Sequence, residues 1–200
     1  MRIMAVTKTI PIERILLVLV EQQITLIGES RWQEAKAKLP LLPPGVEKHF
    51  IGHLQSNKVK EVVAAFDAIE TIDNVKLLLA VALEAQKQGK VLPIFLQVNV
   101  SNDSAKFGFQ LAQLDSAVLA AHASPSVKLV GLMTITAQEA AAAVRNDYKT
   151  MKRLQEKYQL EELSMGMSAD WEIAVEEGAT IVRLGSALFG ERFSARIHSQ

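Results

Sequence analysis

Few residues in this chain could do covalent or acid–base chemistry, and those few stand far apart. The sequence begins "MRIMAVTKT", an apolar, strand-like run that stops at Lys8. An ammonium at the end of a buried strand costs free energy unless it is paired or gives up its proton, and the neutral amine is the form that attacks a carbonyl to make a Schiff base. A carboxylate such as Glu29 or Asp73 would instead make it an ordinary ion pair. Far along the chain, "SMGMSAD" sets Ser164, Gly166 and Ser168 just ahead of a helical stretch, where free backbone N–H groups favour an anion. "RLGSALFG" adds Gly185 and Ser186 after an apolar run that contains Arg183. A buried guanidinium is not readily neutralised and must meet an acceptor, either a carboxylate or the unprotonated ring nitrogen of a ligand. A lysine opposite two anion-binding loops suggests a phosphorylated carbonyl compound. His49 and His53 have an i, i+4 spacing, but Gly52 and the strand-like context argue against a helix and no third ligand is evident, so no metal is expected. His53 is the candidate proton donor; a loop histidine bonded to solvent or ligand is the plainer reading.

These residues need a scaffold that brings the two ends of the chain together. Short apolar runs alternate with longer amphipathic ones, which predicts strands at Ile3 to Thr7, Thr25 to Gly28, Lys48 to Gly52, Ala68 to Ile72, Leu92 to Val100, Leu129 to Thr134, Glu162 to Met165 and Thr180 to Leu184. Helices are predicted at Pro11 to Gln22, Arg31 to Leu39, Asn57 to Phe66, Val75 to Gln88, Leu111 to Ala121, Ala137 to Tyr158 and Trp171 to Glu177, with Pro11 just inside the first and Asp170 before the seventh as start signals. Strands alternating with helices in this length imply parallel crossovers, and the fold expected is α/β, a (β/α)8 TIM barrel, with an open doubly wound sheet as the competitor. The odd polar and glycine-rich clusters all fall at strand C-terminal ends, which a barrel gathers into one mouth. The proline-rich "LPLLPPG" reads as a rigid connector within one domain spanning residues 1–200.

Composition narrows the function. Lys plus Arg and Asp plus Glu each number 22, so no net field recruits nucleic acid or an acidic membrane. There is no cysteine, which excludes a disulfide framework, a thiol nucleophile and a cysteine-based zinc site. The run "ILLVLVEQQITLIG" is broken by Glu21, Gln22 and Gln23 short of the roughly 18 residues a membrane span needs. Lys8, Glu13 and Arg14 interrupt any signal-peptide core, so a cytoplasmic location is expected.

The segments "MAVTKT", "GESRWQEA", "HFIGHLQSNK", "QVNVSNDSAKFGF", "GLMTI" and "SMGMSADWEIAVEEGATIVRLGSALFG" follow in this order and resemble the YggS/PROSC family of pyridoxal-phosphate homeostasis proteins over almost the whole chain. The resemblance implies a barrel like the N-terminal domain of alanine racemase (a fold type III pyridoxal-phosphate protein), with pyridoxal 5'-phosphate as cofactor, carried by Lys8 as a Schiff base. It places the phosphate on Ser164, Ser168, Gly185 and Ser186, with Gly166 in the same loop, and sets Arg183 against the pyridine nitrogen. Two departures stand out. Family members usually have a helix before the first strand, whereas Met1 here is almost at the strand; either the barrel base is less covered or Met1 is not the native start. The second-strand motif, commonly "GEN", reads Gly28, Glu29, Ser30, so Ser30 is a weaker site residue.

A racemase of this kind needs an acid or base opposite the lysine, supplied in alanine racemase by a tyrosine of a partner's second domain, and a decarboxylase of this fold uses a cysteine. This chain has neither a second domain nor a cysteine, and Tyr148 and Tyr158 fall in the long sixth helix. The expectation is a protein that buffers or delivers pyridoxal phosphate, to apo-enzymes that need it, as a monomer. The alternatives are a racemase-like enzyme of unknown substrate and an aldolase-like Schiff-base enzyme without the cofactor. Trp32 and Trp171 read as packing residues, and Lys58, Lys60 and Lys106 as solvated.

Overall fold

The computed structural model describes residues 1–136 and 140–190. Eight parallel strands close into a barrel in sequence order: β1 (Arg2–Val6), β2 (Leu26–Glu29), β3 (Glu47–Phe50), β4 (Ala68–Ile72), β5 (Leu92–Gln97), β6 (Val127–Met133), β7 (Glu162–Met167) and β8 (Ile181–Leu184). The helices between them are α1 (Ile12–Glu21), α2 (Trp32–Lys38), α3 (Val59–Ala65), α4 (Val75–Lys87), α5 (Leu114–His122), α6 (Ala141–Lys157) and α7 (Trp171–Glu176), and a short α8 (Ser186–Phe189) follows the last strand. The open sheet is excluded, because β1 pairs with β8 from Arg2↔Ile181 to Ala5↔Leu184.

Side-chain alternation fills both sides of the wall. Met4, Leu26, Ala68, Phe95, Met133 and Ile181 meet inside the barrel. Ala5 and Ile27 face outward onto Ile15 and Leu19 of α1, and Ile69, Leu96, Leu163 and Val182 belong to the large apolar layer under α3 to α7. Arg183 shares the parity of Ile181 and therefore points inward.

Boundaries differ from the sequence expectation by a residue or two at most elements, and the larger differences have local causes. β5 ends at Gln97, not Val100, because Asn99 closes a turn: its amide donates to Asp103 O at 2.8 Å and its oxygen accepts from Asp103 N at 3.1 Å. Pro11 stands at the N-cap rather than inside α1. Asp170 occupies the N-cap position of α7 without a side-chain bond into that helix, since its carboxylate takes Met167 N at 2.6 Å and the Tyr148 hydroxyl at 2.7 Å. α6 begins at Ala141; residues 137–139 of the helix expected there lie outside the described residues.

Candidate active site at the barrel mouth

Barrel closure sets the two ends of the chain side by side. β8 lies between β1 and β7, with Met4 opposite Arg183 and Met167 opposite Arg183 in the two registers. Lys8, in the turn after β1, therefore stands beside the loop that follows β8, which in turn borders the loop after β7. It is half-buried, and among the described residues no carboxylate pairs with its ammonium: Glu29 is taken by Lys38 and Asp73 by His53.

That turn is held from both flanks. Thr7 donates its hydroxyl to Glu29 Oε1 at 2.7 Å, and its carbonyl accepts from Lys38 Nζ at 2.7 Å. Lys38 Nζ also reaches Glu29 Oε1 at 3.0 Å and Glu34 Oε1 at 2.6 Å, while Thr9 N donates to Glu34. Burial pushes the Glu34 carboxyl upward, but Lys38, the Thr9 amide and Arg31 outweigh it and hold the group below its usual value. Thr9 has φ +65°, a conformation that costs a non-glycine residue energy and persists only where neighbours impose it. Lys38→Met would leave the fully buried Glu29 carboxylate without its cation. We expect a loss of about 3 kcal/mol in urea denaturation, with faster amide exchange at Thr9 and Ile10. A loss below about 0.5 kcal/mol, the size of an exposed pair, would show that the clamp is dispensable.

On the β7 and β8 side, Ser168 Oγ accepts from Gly185 N at 3.2 Å and Ala187 N at 3.3 Å, which leaves its own proton free to donate outward. Gly166 lets the strand turn into this loop: it has φ +89°, and a Cβ there would lie 2.5 Å from the Ala174 Cβ of α7. Ser186 is exposed at the start of α8. Ser168, Gly185 and Ser186 thus form one small polar ledge.

Ser164, expected on the phosphate, stands apart from that ledge. It lies inside the barrel, fully buried, donating to Glu70 Oε2 at 2.6 Å and accepting from Arg183 Nη1 at 2.8 Å. Arg183 Nη2 donates to Thr134 O at 2.7 Å. The acceptors that its burial demanded are therefore a hydroxyl and a carbonyl. Burial pulls the guanidinium pKa down, against the charges of Glu70, Tyr148 and Asp170.

Ser30 and His53 fall in a second group. A Cβ on Gly52 would lie 1.9 Å from Ser30 O, so the loops after β2 and β3 touch. Both residues line a cavity of about 180 Å³ with Trp32, Phe50, Arg31 and Lys58. His53 Nδ1 lies 3.3 Å from Asp73 Oδ2, and its ring stacks on Phe107 at 4.0 Å. His49, four residues earlier, is buried in the barrel between two carboxylates, so the two histidines do not converge. Among the described residues no group of three or more His, Cys, Asp or Glu side chains is arranged to hold a metal ion. Trp32 packs edge-on against Phe66, and Tyr158 sits at the surface with Asp115 and Lys157.

A lysine after the first strand, a polar ledge after the last two and an arginine inside the eighth define a class. The family model for the alanine racemase N-terminal domain matches residues 1–193. Alanine racemase of Clostridium difficile has the same fold, with a TM-score of 0.77 at 15% identity over 98% of this chain and 53% of that one. Within this class the relatives are closer still. The chain is 36% identical to the pyridoxal phosphate homeostasis protein of Vibrio cholerae, over 98% of this chain and 87% of the relative, and 35% identical to that of Homo sapiens, over 96% and 76%. PipY of Synechococcus elongatus, solved with pyridoxal phosphate bound, superposes with a TM-score of 0.87 at 34% identity over 94% of this chain and 92% of that one. The chain belongs to the pyridoxal phosphate homeostasis protein family.

Proposed function

We propose that this chain binds pyridoxal phosphate at the β1–β8–β7 edge of its mouth and serves pyridoxal phosphate homeostasis in the cytoplasm, buffering the cofactor or delivering it to apo-enzymes as a monomer. The observation that carries this reading is the adjacency of the Lys8 turn, the Ser168–Gly185 ledge and Arg183 on three neighbouring strands. The donor set fits the group. The Ser168 hydroxyl, whose own proton is free, and the exposed Ser186 beside it suit a phosphate, and Arg183 is a cation that cannot hand a proton to a ring nitrogen. When bound, pyridoxal phosphate supplies an aldehyde with which an amine condenses, and Lys8 supplies that amine.

The same geometry favours holding over turnover. Arg183 withholds a proton from the ring and so weakens the electron sink that racemases and decarboxylases exploit. Tyr148 is buried with its hydroxyl given to Asp170, and burial together with that carboxylate drives its pKa far upward, so it neither donates nor accepts a proton at the mouth. His53 lies 3.3 Å from Asp73 through Nδ1 and stacks on Phe107 in the cavity it shares with Ser30, so it stands with the loops after β2 and β3 rather than on the ledge.

The test is borohydride reduction of the protein after incubation with pyridoxal phosphate, followed by peptide mapping. The expected result is a yellow protein that gains one pyridoxyl group, on Lys8, and that shows no turnover of free amino acids. Modification elsewhere, or a colourless protein that takes up no cofactor, would sink the site assignment.

A further inference from the structure

The interior of the barrel carries a polar chain that the site described above uses only at its upper end. Arg2 Nη1 donates to Glu47 Oε2 at 2.6 Å, and its other nitrogen reaches Glu162 Oε1 at 3.1 Å. Glu47 Oε1 is 2.6 Å from His49 Nε2, and His49 Nδ1 is 2.6 Å from Glu70 Oε1. Glu70 Oε2 accepts from Ser164, which accepts from Arg183. Six side chains from β1, β3, β4, β7 and β8 thus connect the barrel floor to the arginine beneath the mouth.

The links from Arg183 to Ser164 and from Ser164 to Glu70 have one polarity, and those on either side of His49 follow its protonation. A guanidinium only donates, so Ser164 must accept from Arg183 and send its single proton elsewhere. Glu70 is the group that takes it. Glu70 is fixed in turn by His49, which donates from both ring nitrogens when charged. Burial opposes that charge, but the hydrogen bonds and charges of Glu47 and Glu70 raise the imidazolium pKa to about 9, so both N–H groups are present at neutral pH. The groups facing His49 are Glu47 on its own strand, Glu70 on β4, Gly28 opposite it on β2 and the Phe95 ring of β5 at 5.9 Å; the last two do not titrate. Arg2 acts on it through Glu47, and Arg183 through Ser164 and Glu70.

We propose that Glu70 and His49 are positioning residues for Arg183, fixing the direction of the Ser164 hydroxyl and so the guanidinium that faces the bound cofactor. The inference rests on the reading of Arg183 as the residue at the cofactor's ring nitrogen. Nothing in the chemistry of the mouth requires a charged histidine at its floor; what it supplies is a carboxylate of fixed orientation beneath a hydroxyl of fixed polarity. The arrangement also makes His49 a reporter. The cofactor brings its phosphate charge into the mouth above Arg183, which favours the protonated form of the chain below it, and coupling between two sites acts in both directions.

The experiment is an NMR titration of the His49 ring between neutral and alkaline pH, with and without pyridoxal phosphate, in the wild-type protein, Glu70→Gln and Ser164→Ala. Loading with the cofactor is expected to move the wild-type titration upward by about 0.3 pH unit or more. In both variants that response disappears, and the cofactor dissociates about fivefold faster, a change of about 1 kcal/mol. A merely structural role would lower the unfolding temperature of the variants and leave the response intact. Two variants cut the chain at successive links, so the failure of one to fold leaves the other decisive. A wild-type titration indifferent to the cofactor, or a response undiminished in the variants, overturns the inference alone. A protein that takes up no pyridoxal phosphate overturns the underlying assignment of the site as well.

Discussion

Raising the pH from 6.5 to above 9 is expected to remove about 3 kcal/mol from the stability of the fold, as His49 gives up the proton it shares with Glu47 and Glu70. The sign follows from which state binds the proton more tightly. The folded-state pKa, about 9, lies above the ordinary histidine value of 6.5, so the folded chain holds the proton where the unfolded chain has released it. The contribution is fully present below pH 6.5 and is lost as pH rises through 9. Glu47 shows the same contact from its other end. The hydrogen bond from His49, opposed by burial and helped by the charges of His49 and Arg2, holds its carboxyl at about 2. Its share is present above pH 4.5 and disappears as pH falls through about 2, and the two are one interaction rather than two to be added. Urea denaturation at pH 6.5 and pH 10 should show the loss in the wild-type protein. His49→Gln, less stable throughout, should show little change across that window. A wild-type midpoint that stays constant would mean that His49 is neutral in the folded protein and that the chain beneath Arg183 has no fixed polarity.

The sequence carried the barrel and one edge of its mouth because both depend on local signals. Alternation along "RIMAV" and "IVRLG" marks strands whatever their neighbours, and a lysine or arginine in such a run is conspicuous alone. Adjacency of the two runs then follows from closure of the barrel, so Lys8, Ser168, Gly185 and Arg183 could be grouped before any coordinate. Glu70 gives the same signal within "AIETI" as Arg183 does in "IVRLG", and reading that strand for its charge would have found it. Its partner could not be found that way. Ser164 is 94 residues further on, and periodicity tells which way a side chain points across a wall, not which side chain on the far wall it meets. The same limit applies to Ser164 itself: Leu163 and Met165 face the outer layer, so alternation turns Ser164 inward, but its partners there leave no mark in the sequence. Ser30 entered through the family's second-strand motif and His53 as a candidate proton donor; that the loops carrying them touch through Gly52 and line one cavity is a tertiary fact with no local signal. The Lys38–Glu29–Glu34 clamp has a visible half in the i, i+4 pair Glu34 and Lys38; its tie to the Thr7 carbonyl is tertiary and leaves no trace in composition.

Lys8→Ala is expected to produce the largest functional effect, raising the rate of pyridoxal phosphate release about a hundredfold or more. On the proposed site, what would remain in that variant is a phosphate grip by Ser168 and Ser186 and the contact with Arg183, a few charge-assisted hydrogen bonds. A covalent bond to Lys8 adds a step that must be reversed before the ligand leaves, and breaking it requires water or another amine. Two kinetic signatures follow. Release from the wild-type protein should accelerate with added free amine, which exchanges for Lys8, whereas release from Lys8→Ala should be fast and insensitive to amine. The fold should be nearly unchanged, because Lys8 is only half-buried, has no carboxylate partner among the described residues, and leaves the Thr7 and Thr9 contacts of its turn in place when truncated. Stopped-flow absorbance on mixing the loaded protein with an apo-acceptor in excess measures the release directly. If the wild-type rate equals that of Lys8→Ala and ignores added amine, Lys8 does not hold the cofactor. An amine-dependent wild-type rate ties delivery to the covalent bond, and makes the clamp around Thr7 and Thr9 a determinant of how long the cofactor is kept.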